Sequence, residues 1–275
     1  MSGGRRLRRL AVLGHPVAHS RSPAMQNAAL AELGLAGEWS YEAIDVPPDR
    51  FAERVRAIAA EGFVGANVTL PHKLAALALA DRTSTAAAEI GAANTLSFGD
   101  GWIAADNTDG AGLIAALGEA PRGQRALVLG AGGAARAAVW ALAREGAAVE
   151  VWNRTPRRAE VLAADLGATV FRPGGERGHD LIVNATTVGL ARAGGDRGPA
   201  LDTLPIDGGA VADARVVVDL VYGAAETELA RLARAHGTRL VDGLEVLVQQ
   251  GAASLRLWTA AEPPIATMRR AARAG

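Results

Sequence analysis

Residues 125–146, RALVLGAGGAARAAVWALAREG, decide the fold. An apolar strand-like run, Arg125 to Leu129, meets the turn Gly130-x-Gly132-x-x-Ala135, and an alanine-rich helical stretch follows. Glycines let the backbone turn sharply and approach a pyrophosphate, whose charge is stabilised by free N–H groups at the helix N-terminus. A second strand-like run, AVEVW at 148–152, supplies the βαβ context that such a turn needs to count as dinucleotide binding. The residues just after that second strand select the cofactor. NAD sites place an Asp or Glu there to accept hydrogen bonds from the ribose hydroxyls, but this chain has Asn153-Arg154-Thr155-Pro156-Arg157-Arg158. Guanidinium groups bind phosphate through charge-assisted bonds, and arginine at a helix N-terminus is opposed by the macrodipole unless an anion is near. The segment therefore points to the extra 2′-phosphate of NADP.

Outward from this unit, DLIVNAT, VVVDLVY and TRLVDG continue the strand-and-helix alternation, and RPGGERGHD (172–180) and ARAGGDRGPA (191–200) read as loops. Upstream, LAVLG, SPAMQNAALAEL, WSYEAIDV, the stretch 49–61, FVGANVTL and the run after His72 alternate in the same way, so a second set of α/β units on a mainly parallel sheet is expected. Two alternating runs around Gly99-Asp100-Gly101 interrupt it as a hairpin, with a domain boundary near Asp109. The last apolar helix, LEVLVQQGAASLRLW, either closes the second domain or returns to the first.

With 29 basic and 29 acidic residues in 275, no net field favours nucleic acid or an anionic membrane, and a small molecule is the expected partner. The absence of cysteine removes disulfides and thiolate zinc sites, and the five histidines lack metal-ligand spacing, so no metal is expected. The arginine-rich start leads into an apolar run too short for a secretory core, and no run is long enough to span a bilayer. A cytoplasmic protein is expected, as a monomer or homodimer.

The first half also gathers polar residues. Ser20 and Ser22 precede a helix-starting Pro23, where they could cap the helix or bind a small polyhydroxy acid. Asn67 and Thr69 lie two apart in an expected strand and share a face, and Lys73 opens the next helix. Asn94 is expected in a hairpin strand, and Asp109 opens another helix.

GHPVAHSRSP, NVTLPHK, GAANTL, DNTDG, GAGGAARA, NRTPRRA, DLVYGAAET and DGLEVLVQQ, in that order, resemble the shikimate dehydrogenase family. The resemblance implies an α/β substrate domain over 1–109, a Rossmann-type NADP-binding domain over 110–242, and helices at 243–275 packing back on the substrate domain. It implies reversible reduction of 3-dehydroshikimate to shikimate, with Lys73 and Asp109 as the catalytic pair. Ser20, Ser22, Asn67, Thr69, Asn94, Asp109, Tyr222 and Gln250 would serve the substrate. Gly130, Ala131, Gly132, Gly133, Ala134, Asn153, Arg154, Thr155, Arg158, Thr186 and Gly243 would hold NADP. Three positions depart from the family pattern: Gln26 for a common histidine, Val246 for a common methionine, and Glu228 for the proline usual after Thr227. Two other readings share the fold: an NAD-dependent enzyme accepting quinate, and a non-catalytic shikimate or quinate sensor. The basic segment 153–158 opposes the first, and an intact Lys73 and Asp109 oppose the second.

Overall fold

A computed structural model describes residues 7–174, 178–190, 200–223 and 225–274. Parts of both expected loops, 172–180 and 191–200, and the arginine-rich start fall outside the described residues. The chain divides into two compact units, one formed by Met1–Thr108 with Leu247–Gly275, the other by Asp109–Val246.

The first unit contains β1 (Arg8–Gly14), α1 (Ser22–Glu32), β2 (Trp39–Asp45), α2 (Phe51–Ala60), β3 (Phe63–Val68), α3 (Lys73–Ala78), β4 (Arg82–Thr83), α4 (Thr85–Ile90), β5 (Thr95–Gly99) and β6 (Trp102–Asp106). Its sheet runs β2-β1-β3-β5-β6-β4, with β1 parallel to β2 and β3, and β5 antiparallel to β3 and β6. Alternation along β1 builds both faces. Leu10 and Val12 enter a core with Met25 and Leu30 of α1, whereas Ala11 and Leu13 enter one with Val55 and Ile58 of α2. The expected hairpin is present, closed by Gly99 opposite Trp102, and Gly101 supplies the positive φ of its turn. Two expectations shift by one residue. Thr69 lies just past β3, although its N–H still bonds Leu13 O at 2.9 Å, and Asn94 just precedes β5.

The second unit contains α5 (Asp109–Leu117), β7 (Arg125–Leu129), α6 (Gly133–Arg144), β8 (Ala148–Trp152), α7 (Pro156–Leu166), β9 (Thr169–Val170), β10 (Leu181–Asn184), α8 (Gly208–Asp213), β11 (Val216–Asp219), α9 (Glu228–His236) and β12 (Arg239–Asp242). Its sheet is parallel throughout, in the order β12-β11-β10-β7-β8-β9, so the chain reverses its direction of growth beside β7. That is the topological switch point, where ligands bind in doubly wound sheets. Helix α10 (Gly243–Thr259) begins in this unit and ends in the first, and α11 (Ile265–Ala274) packs against α1.

Candidate active site

In the first unit, strand direction gathers the polar residues on one edge. The C-terminal ends of β1, β3 and β6 and the start of β5 all lie there, because β5 alone runs opposite to β3. Thr69 Cγ2 would lie 2.4 Å from a Cβ on Gly14, so the bare glycine leaves room for the Thr69 side chain at the end of β1. Ser20 is half-buried and its Oγ accepts the Ser22 N–H at 3.3 Å; Ser22 is 5% exposed and opens α1. Ser20 thus fills part of the helix-starting role while its hydroxyl hydrogen stays available.

Lys73 opens α3 half-buried, and its carbonyl accepts the Ala93 N–H at 2.8 Å. The residue before it, His72, stacks on Phe51 with ring centroids 4.3 Å apart, and its Nε2 meets Val46 O at 2.7 Å. Burial pushes the His72 pKa below the ordinary histidine value, against the opposing pull of that carbonyl. A carbonyl can only accept, so the ring donates Nε2–H to it.

Asn67, Asn94 and Gln250 are buried in one polar network. Tyr41 Oη donates to Asn67 Oδ1 at 2.8 Å, and Asn67 Nδ2 donates to Ser254 Oγ at 2.9 Å. Asn94 Oδ1 accepts the Thr108 N–H at 2.8 Å, while its Nδ2 donates to Thr108 Oγ1 at 2.9 Å and Gln250 Oε1 at 3.0 Å. Thr95 Oγ1 lies 2.8 Å from Ser254 Oγ. Sequence reasoning missed Tyr41, Thr95, Thr108 and Ser254. The one signal for Ser254 was its place four residues after Gln250, on the same face of a helix. Gln26 is fully buried and donates to Gly251 O at 3.0 Å, and its Oε1 has no hydrogen-bond partner among the described residues.

The second unit presents its residues at the C-terminal edge of the parallel sheet. Gly130 has φ +119°, and a Cβ there would lie 2.8 Å from Ala185 O. Its N–H bonds Trp152 O at 2.7 Å, which ties the turn to the end of β8. Gly132 differs: its φ is −90°, and a Cβ would meet nothing of the chain within 4 Å. No side chain caps α6, so its first-turn N–H groups and the open space over Gly132 fit a pyrophosphate. Ala131, Gly133 and Ala134 complete that turn. Asn153 Nδ2 bonds Thr155 O at 3.1 Å, and Thr155 leads into α7 without capping it through its side chain. Arg154 and Arg158 are exposed and make no ion pair among the described residues, whereas Arg157 meets Glu160 at 3.6 Å. The residues present therefore fit a 2′-phosphorylated dinucleotide.

Behind this edge, the Asp219 carboxylate is 2% exposed and accepts from Thr227 Oγ1 at 2.5 Å, Asn184 Nδ2 at 2.9 Å and Val221 N at 3.2 Å. Burial raises its pKa, and these three bonds oppose the rise. Asp219 and Thr227 bracket the segment that carries Tyr222. Asn184 Oδ1 in turn accepts Thr186 Oγ1 at 2.6 Å, which fixes Thr186 beside the glycine turn. Gly243 admits the close approach of α10, because a Cβ there would lie 2.6 Å from Leu220 O. Lys73 thus belongs to the first unit and Asp109, the first residue of α5, to the second.

The sequence matches the family described as the shikimate dehydrogenase substrate binding domain at residues 12–96, shikimate / quinate 5-dehydrogenase at 115–173, and the shikimate 5'-dehydrogenase C-terminal domain at 243–273. It is 44% identical to the shikimate dehydrogenase (NADP(+)) of Methanothrix thermoacetophila over 96% of each chain. It is 46% identical to that of Anaeromyxobacter dehalogenans over 94% of each. Among solved structures it is similar to shikimate 5-dehydrogenase from Thermus thermophilus in complex with NADP(H) and shikimate. That likeness has a TM-score of 0.85 and 44% identity, and covers 98% of this chain and 99% of the other.

Proposed function

The chain belongs to the shikimate dehydrogenase family, and from that premise we propose how its residues carry out the NADP-dependent, reversible reduction of 3-dehydroshikimate to shikimate on the route to chorismate and the aromatic amino acids. The protein is an oxidoreductase acting on a secondary alcohol. We read it as acting in the cytoplasm, as a monomer or homodimer; among the described residues, no helix is long and apolar enough to cross a membrane.

NADPH, when bound, supplies the hydride for the carbonyl carbon. The chain must then manage the proton on oxygen. An ammonium can donate that proton or stabilise a developing alkoxide, and a carboxylate can orient the ammonium, which are the roles proposed for Lys73 and Asp109. The hydroxyls of Ser20, Ser22 and Thr69 would bind the acid's oxygens, with Gln250 and Asn94 completing the substrate contacts. Asn67 would shape the site, its amide already engaged by Tyr41 and Ser254. The glycine turn with Thr186 and Gly243 would hold the dinucleotide, Asn153, Arg154, Thr155 and Arg158 its 2′-phosphoadenosine end, and Tyr222 would stand near both ligands.

One observation carries the pairing. The Lys73 carbonyl is bonded by Ala93 N–H, and the next residue, Asn94, holds Thr108, which precedes Asp109 in the chain. The backbone at Lys73 and at Thr108, the residue before Asp109, is therefore tied to two consecutive residues, Ala93 and Asn94. Lys73→Ala should lower kcat by about 10² to 10⁴, with a smaller change in KM. Asp109→Ala should be comparably severe, and the double variant should lie near the worse single one, since groups acting as a unit are non-additive. Losses that multiply, or near-normal turnover in Lys73→Ala, would remove the pair from the mechanism.

A further inference from the structure

The buried network contains two groups whose hydrogen-bonding sense cannot be exchanged. At one end, the Thr108 backbone N–H donates to Asn94 Oδ1 at 2.8 Å, which turns Asn94 Nδ2 toward Thr108 Oγ1 and Gln250 Oε1. At the other end, the Leu247 carbonyl accepts from Gln250 Nε2 at 2.9 Å. An N–H can only donate and a carbonyl can only accept, so both amides are oriented from outside. Gln250 Oε1 is occupied by Asn94, and Nε2 keeps a second hydrogen with no acceptor among the described residues.

The hydroxyls keep this order consistent. Thr108 Oγ1 accepts from Asn94 Nδ2, and Ser254 Oγ, at 3.1 Å, can take the Thr108 hydroxyl hydrogen. Ser254 in turn donates to Gln250 O at 3.1 Å, one helical turn back. Ser254 is fully buried and Thr108 is 5% exposed, so no bulk water replaces these partners.

We propose that Thr108 and Ser254 are positioning residues of the substrate site, which through Asn94 hold Gln250 as a hydrogen-bond donor toward an oxygen of the bound hydroxy acid. The inference rests on the reading that Gln250 contacts substrate. Thr108→Val keeps the side-chain shape but leaves the Asn94 Nδ2 hydrogen without its nearest acceptor. The amide then loses one of the restraints on its orientation, and with it the restraint on Gln250.

The test is calorimetric binding of shikimate to the full chain, alongside KM, kcat, NADPH affinity and thermal unfolding. Thr108→Val should weaken shikimate binding and raise its KM about tenfold, leaving kcat within about threefold and NADPH binding unchanged. Ser254→Ala should give a smaller loss of the same kind, about threefold to fivefold, and Thr108→Ser should bind as the unaltered chain does. If Thr108→Val fails to fold, Ser254→Ala and Thr108→Ser carry the same comparison. Unchanged shikimate binding in the hydroxyl-deleted variants would overturn the proposal, as would equal losses for shikimate and NADPH, which would mark general loosening. Failure of the unaltered chain to bind shikimate would instead overturn the functional reading on which the proposal stands.

Discussion

The two glycines of the turn after β7 should respond in opposite ways to the same methyl group. At Gly130, alanine must adopt φ +119° and place Cβ 2.8 Å from Ala185 O and 3.0 Å from Ala185 C. Both neighbours are backbone atoms, and Ala185 is held by its own N–H to Leu129 O at 2.8 Å. A disfavoured conformation and a forced contact each cost about 1–3 kcal/mol, so Gly130→Ala should lose about 2–6 kcal/mol. For a chain of this size that is a fall in Tm of about 4–24 °C. At Gly132 the φ of −90° suits alanine and the space is open to the chain's own atoms. Stability should hold or rise by about 0.4–1 kcal/mol, because alanine restricts the unfolded state. The methyl would, however, occupy the place where the backbone meets the pyrophosphate. A cost of about 1.4–2.8 kcal/mol there means a ten- to hundredfold weaker NADPH complex. Thermal unfolding by circular dichroism and NADPH titration by fluorescence read the two effects separately. Native NADPH affinity in Gly132→Ala, or an unchanged Tm in Gly130→Ala, would refute the reasoning.

Charge governs two further outcomes. Arg154→Ala and Arg158→Ala should each weaken NADP by about 1–2 kcal/mol, discounted for exposure, and leave NAD nearly unaffected; equal losses for both cofactors, measured by titration, would exclude 2′-phosphate recognition. His72 has its pKa lowered by burial from the ordinary 6.5, so its contribution to stability is present above that value. It is lost as pH falls through the folded-state pKa, because the unfolded chain then binds a proton that the folded one resists. His72→Phe, which retains a ring against Phe51, should flatten this acid limb of Tm against pH, and an unaltered limb would show that His72 does not contribute to it.

Local chemistry was the legible part of the sequence. The glycine turn, the Asp100-Gly101 hairpin and the run of arginines after β8 each depend on residues within a few positions of one another, so their pattern survives in one dimension. Thr69 was misplaced by one residue because its N–H keeps bonding β1 after the ladder with its other neighbour has ended. The network around Ser254 was illegible. Its partners Thr108 and Asn67 lie 146 and 187 residues away in sequence, and only the return of α10 to the first unit brings them together. Asp219 was likewise an ordinary strand-end acid until Thr227 and Asn184 were seen to enclose it. The Gln26 Oε1, at a position where a histidine is common in the family, is a buried polar atom with no hydrogen-bond partner among the described residues.

The most direct measurement is initial-rate spectrophotometry of the purified chain with shikimate and with quinate, each offered NADP and NAD. The lack of an acidic residue after β8, the exposed Arg154 and Arg158, and the hydroxyl-rich edge beside Lys73 predict that shikimate with NADP gives by far the highest kcat/KM, that Lys73→Ala removes it, and that NAD supports little turnover. Comparable or better turnover of quinate with NAD, or binding of shikimate without turnover under any pairing, would contradict the account.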